Sequence, residues 1–114
     1  MNASQTKLRV AAVQLSPVLL DRDGTTDKVV EAIERCGRDQ IQLAVFPETV
    51  IPSYPYFAMV TPPAAIGEQM ARLHDQAVDV PGPVTARVGG AARSAGTVVV
   101  LGVNERDGGS LYNT

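Results

Sequence analysis

The sequence predicts an α/β fold in which helices cover a sheet. Three observations carry that prediction. KLRVAAVQL (7–15) and IQLAVF (41–46) are short apolar runs that bracket a stretch with helical spacing, a βαβ unit. A third apolar run, TVVVLGVN (97–104), follows two further helix-like segments. The 114 residues are 45% hydrophobic and 19% charged, a globular balance that suits one domain at most.

Taken in order, KLRVAAVQL reads as a buried strand, rich in apolar side chains and stopped by Ser16-Pro17. DRDGTT (21–26) has turn chemistry, and Thr25 or Thr26 is the expected cap of the helix that follows. On that helix Val29, Ile33 and Cys36 recur at i, i+4 and i+7. Asp27, Lys28, Glu31, Glu34 and Arg35 supply its wet side, and Gly37 lies near its end. IQLAVF is the second strand, and Pro47 lacks the backbone donor needed to continue it. A right-handed crossover makes these two strands parallel.

Residues 47–63 hold five prolines and read as a long ordered loop whose aromatic side chains require burial. AAIGEQMARLHDQAV (64–78) predicts a helix with Ile66, Met70, Leu73 and Ala77 on one side. VPGPVTARVGGAARSAG (80–96) predicts another, starting near Pro83 and closed by Gly96. Its central Gly89-Gly90 costs about 1 kcal/mol of helix propensity per glycine, so a close packing contact is the expected purpose of the pair. TVVVLGVN is the clearest strand, ERDGGS (105–110) reads as a turn, and LYNT (111–114) opens a further strand.

Composition narrows the function. Ten basic residues against twelve acidic ones give a net charge of −2 with no block of like charge, which argues against nucleic acid or an anionic membrane as partner. No apolar run is long enough to cross a bilayer, and MNASQTKLRV lacks the apolar core of a signal peptide. One cysteine forms no intrachain disulfide and fits a reducing compartment, so the cytoplasm is the expected location.

The chemistry concentrates at AVFPETVIPSYPYF (44–57). Ligands of parallel α/β sheets sit outside the carboxyl ends of the strands, and Glu48 lies just past such an end. Tyr54, Tyr56 and Phe57 offer an apolar wall with phenol donors. A carboxylate facing that wall would lose solvation and suit a general base. The plainer alternative is a solvated turn glutamate beside rings tucked over the core, and position and composition alone favour it. Cys36 sits on the apolar stripe of its helix and reads as a core residue. His74 has no second histidine or cysteine with which to bind a metal, so a surface or helix-end role is expected. Asn104, Glu105 and Arg106 read as structural rather than as a second layer around Glu48. VGG (88–90) and DGG (107–109) match neither a P-loop nor a dinucleotide fingerprint.

VAAVQLSPV, VFPETVIPSYPYF and VVVLGVNERDGGSLYNT together resemble the nitrilase superfamily of carbon–nitrogen hydrolases. The resemblance spans essentially the whole chain. Its most specific part is FPE (46–48) with the proline- and tyrosine-rich loop, which is similar to the nitrilase branch more than to the amidase or carbamoylase branches. It implies the N-terminal part of an α-β-β-α sandwich, with residues 1–114 forming one segment of a single hydrolase domain. It also implies a Glu–Lys–Cys triad in which Glu48 is the general base. Tyr54 aligns near the substrate pocket, with Tyr56, Phe57 and Met59 as further lining.

The lysine and the nucleophilic cysteine lie downstream in this family, and Cys36 does not match the cysteine motif. These 114 residues are therefore expected to be inactive alone. In the complete enzyme the resemblance implies attack of a thiolate on the nitrile carbon, with Glu48 taking the thiol proton and later activating water. A lysine ammonium would stabilise the tetrahedral states, a thioimidate would give way to a thioester, and ammonia and a carboxylic acid would leave. No metal or organic cofactor is implied, and a homo-oligomer is. An amidase or carbamoylase activity, or a non-catalytic assembly role, is the alternative expectation.

Overall fold

The computed structural model describes residues 6–114. Strands β1 (Val10–Ala12), β2 (Leu43–Val45) and β3 (Val98–Val100) form a parallel sheet in that order. Val10, Leu43 and Val98 share one register line, and Ala12, Val45 and Val100 another. Pairing continues past the regular strands: Val13 N–H donates to the Val45 carbonyl at 2.8 Å, and Phe46 N–H to that of Val100 at 2.9 Å. The α/β class and the parallel βαβ unit are as the apolar runs predict.

Helix α1 (Arg22–Arg38) connects β1 to β2. A short helix α2 (Phe57–Val60), a 3-10 turn (Pro63–Ala65), α3 (Gly67–Gln76) and α4 (Pro83–Ala95) lie between β2 and β3. Helices α1 and α4 pack together, and Val29, Ile33, Cys36, Val84 and Val88 join Ala44 of the sheet in one core. Side chains alternate along a strand, so the remaining face carries Val10, Val45, Val98 and Val100, each 41–66% exposed. Among the described residues no helix is long and apolar enough to cross a membrane.

Several local expectations are corrected. Helix α1 is capped by Asp21, whose carboxylate accepts from Gly24 N–H at 2.8 Å, not by Thr25 or Thr26. Both threonines are buried one turn inside the helix, where Thr25 Oγ1 bonds the Val18 and Pro52 carbonyls and Thr26 Oγ1 that of Arg22. The close contact expected at Gly89-Gly90 is absent, since among the described residues a Cβ at either position would meet nothing within 4 Å. Gly37 holds that role: a Cβ there would lie 2.9 Å from Ala95 Cβ, so its lack of side chain sets how closely α1 approaches α4. By contrast α4 begins at Pro83 and ends at Gly96 in the left-handed region (φ 64°), as its sequence predicts.

ERDGGS is also more than a turn. Strand β4 (Asn104–Asp107) and β5 (Ser110–Asn113) form an antiparallel hairpin through Gly108-Gly109, with Gly108 at φ 54°. Glu105 and Arg106 face Tyr112 and Leu111 in that ladder. Isolated bridges from Ile51 to Val103 and from Val78 to Glu105 tie the hairpin to the loop after β2 and to the end of α3.

Candidate active site

The chain turns at Glu48-Thr49, immediately after the sheet pairing ends at Phe46. Pro47 cannot donate to a neighbouring strand, so the backbone must leave the ladder here. Thr49 holds φ 44°, a conformation that β-branched residues rarely adopt. It is buried to 3% exposure, and among the described residues its Oγ1 has no hydrogen-bond partner.

Gly102, just beyond β3, explains how this turn is held. A Cβ at that position would lie 2.6 Å from Thr49 N, 2.7 Å from the Pro47 carbonyl oxygen and 2.9 Å from Glu48 Cα. Only glycine lets the two backbones meet so closely. The next two residues extend the support. Val103 exchanges backbone hydrogen bonds with Thr114 at 2.8 and 3.1 Å. Buried Asn104 donates its backbone N–H to the Ile51 carbonyl at 2.9 Å and its side-chain amide to the Ser53 carbonyl at 3.0 Å.

This framework brings β5 against the glutamate. The Asn113 side-chain amide donates a hydrogen bond to Glu48 Oε1. Glu48 is otherwise solvent-exposed in this chain. One carboxylate oxygen is thus oriented by a neutral donor, and among the described residues the other makes no hydrogen bond.

The residues of the expected pocket wall are distributed differently. Tyr54 and Phe57 are half-buried, while Tyr56 and Met59 are 68% and 69% exposed. The two tyrosine rings pack on each other at 4.7 Å with a 48° tilt. None of these side chains hydrogen-bonds Glu48 among the described residues, and the burial expected for the loop aromatics is partial at Tyr54 and Phe57 and not seen at Tyr56. Clefts of about 610 Å³ in the outer groove between α1 and α4, and about 510 Å³ beside β1, are not lined by Glu48.

Other polar residues have structural work. Arg106 donates Nε and Nη2 to the Asp79 carboxylate at 3.1 and 3.0 Å, and Nη1 to the His74 and Asp75 carbonyls at the end of α3. The guanidinium hydrogen bond holds the Asp79 carboxyl below its usual value, and the carboxylate in turn raises Arg106. The His74 ring Nε2 lies 2.8 Å from the Gly108 carbonyl oxygen, pinning the hairpin turn to α3. Cys36 is buried in the core. Among the described residues no group of three His, Cys, Asp or Glu side chains is placed to hold a metal ion. Sequence reasoning missed Asn113 and Gly102; only the LYNT and VVVLGVN contexts hinted at them.

Comparison with known proteins adds an independent line. Residues 9–114 match the model of the carbon-nitrogen hydrolase family. The chain is 54% identical over 112 residues to a protein named nitrilase from Paraburkholderia phymatum, covering 98% of this chain and 33% of that protein. It is 54% identical over 109 residues to a protein named nitrilase 3 from an unknown prokaryotic organism, covering 94% and 33%. An aliphatic nitrilase of Rhodococcus rhodochrous is 42% identical over 107 residues, covering 93% and 29%. The chain therefore spans about a third of the length of the curated relatives it matches.

Proposed function

The chain belongs to the carbon–nitrogen hydrolase family, and from that premise we propose that it forms the N-terminal part of a nitrilase, with Glu48 as general base. The observation that carries this reading is the segment Phe46-Pro47-Glu48 leading into a turn at the end of a parallel strand, in a chain 54% identical to proteins named nitrilase. In the complete enzyme a cysteine thiolate attacks the nitrile carbon, and Glu48 receives the thiol proton. The thioimidate then loses ammonia to water activated by the same carboxylate, and a second water releases the acid from the thioester. A lysine ammonium offsets the negative charge that develops in the tetrahedral states. Both of those groups come from sequence beyond these residues.

The fold supports the proposal in two ways. The exposed valine face of the sheet is suited to stacking on a second sheet, about 10 Å away, as in an α-β-β-α sandwich. Such stacking would help to exclude water at the carboxyl end of the central strand, where Glu48 sits, and a desolvated carboxylate suits a general base. Tyr54, Tyr56, Phe57 and Met59 are then the part of the substrate-binding wall that this segment contributes. The substrate is a small nitrile, and assembly into homo-oligomers and a cytoplasmic location complete the proposal.

Product analysis of the full-length enzyme tests it. Incubation with nitriles should release ammonia and the carboxylic acid in equal amounts. Hydrolysis of the corresponding amides with no turnover of any nitrile would instead place the protein among the amidases.

A further inference from the structure

We infer that Asn113 is a positioning residue for Glu48, fixing which carboxylate oxygen accepts the proton. The inference rests on the reading of Glu48 as general base and extends it to a residue 65 positions away in the chain. The Asn113 amide donates to Oε1, so the lone pairs of Oε2 are left for proton transfer. A primary amide suits this task. It donates a charge-assisted hydrogen bond but does not ionise, so it orients the carboxylate without taking or giving up the proton itself.

The placement of Asn113 is built into the backbone. Three consecutive residues divide the work: Gly102 seats against the Glu48 turn, Val103 pairs with Thr114, and Asn104 grips the loop at Ile51 and Ser53. Asn104 and Asn113 are also direct partners across the β4–β5 ladder. The donor and the carboxylate are thus referenced to one short stretch of chain, and neither can drift without breaking backbone contacts. Side chains alternate along β5, so Tyr112 points away from Asn113 and, at 52% exposure, provides a matched control on the same strand.

The test uses the full-length enzyme and compares Asn113→Ala, Asn113→Asp and Tyr112→Ala. Losing a hydrogen bond to a charged group costs on the order of tenfold or more in rate when that bond orients a reacting group. Asn113→Ala should lower kcat by about tenfold or more with KM within about twofold. Asn113→Asp keeps the volume but sets one carboxylate against another, so it should lose at least as much. Tyr112→Ala should stay within about twofold of wild type.

A second measurement separates positioning from simple loss of structure. In a Glu48→Asp background, where the shortened carboxylate no longer reaches the amide, adding Asn113→Ala should cost less than about twofold. Full additivity in that cycle, or a wild-type kcat in a folded Asn113→Ala or Asn113→Asp enzyme, would overturn the inference. The two readings fail separately. If Glu48→Gln abolishes turnover while the Asn113 variants are unaffected, the general base stands and its positioning residue does not. If Glu48→Gln is active, the functional reading falls first.

Discussion

Substituting Gly102 by alanine probes the framework around Glu48 most sharply. The added Cβ would meet three backbone atoms of residues 47–49 at 2.6–2.9 Å. Favourable carbon contacts lie near 3.5–4.0 Å, so one strand end must retreat by roughly 1 Å. No side-chain rotation can relieve the clash, because all three neighbours are main chain. Gly102 is not in the left-handed region, so the cost is steric rather than conformational and falls in the overpacking range of about 1–3 kcal/mol. A displacement of roughly 1 Å at a catalytic group also costs on the order of a hundredfold in rate.

Gly90→Ala is the internal control, since it sits in the interior of α4 with nothing within 4 Å. It should stabilise by roughly 0.5–1 kcal/mol through helix propensity. Urea unfolding and steady-state kinetics of the full-length enzyme would report both effects. If Gly102→Ala unfolds at the wild-type urea midpoint and keeps wild-type kcat, the proposed seating of the Glu48 turn on residue 102 is wrong.

Three further expectations follow from the same contacts. Asp21→Ala removes the cap of α1 and should cost about 1 kcal/mol; an unchanged urea midpoint would show that the Gly24 N–H finds another acceptor. Thr49→Val preserves shape while deleting a buried hydroxyl that has no partner, so stability should be unchanged or up to about 1 kcal/mol higher, and a clear loss would reveal a hydrogen bond to that oxygen. The Arg106 contact favours ionised Asp79 in the folded chain, so its contribution is complete above the ordinary aspartate value and lost as pH falls through the lowered one. The difference in melting temperature between wild type and Asp79→Asn should therefore be present at pH 7 and narrow below about pH 4; a difference that widens in acid would contradict that sign.

Local signals were legible where one residue type decides the outcome. Pro47 ends β2, Pro83 opens α4, and Gly96 closes it, because each changes the backbone options of its own position. The stripe of Val29, Ile33 and Cys36 marked the buried side of α1 for the same reason. Expectations failed where the deciding partner is remote. A glycine's contact depends on what crosses it, so Gly37 and Gly102 could not be told from Gly89 and Gly90. Asp21 and Thr25 are equally good caps on composition, and Thr25 was drawn inward by the carbonyls of Val18 and Pro52. DGG signals a turn by its own chemistry, but NERD before it carries no apolar alternation, and only its pairing with residues 110–113 makes it the first strand of a hairpin.

The site divides along the same line. FPE followed by a tyrosine-rich loop singled out Glu48 within a family context, yet nothing in LYNT announces that its asparagine reaches a carboxylate 65 residues earlier. The loop aromatics were expected to be buried by their own chain. Tyr56 is instead largely exposed among the described residues, while Tyr54 and Phe57 are half-buried.

We propose that the Glu48 carboxylate moves the proton in nitrile hydrolysis. Glu48→Gln in the full-length enzyme tests it most directly, because the amide keeps the size and the contact to Asn113 but cannot act as a base. The expected result is a fall in kcat of about a hundredfold to ten-thousandfold with substrate still bound. A Glu48→Gln enzyme turning over its nitrile within a few fold of wild type would contradict it.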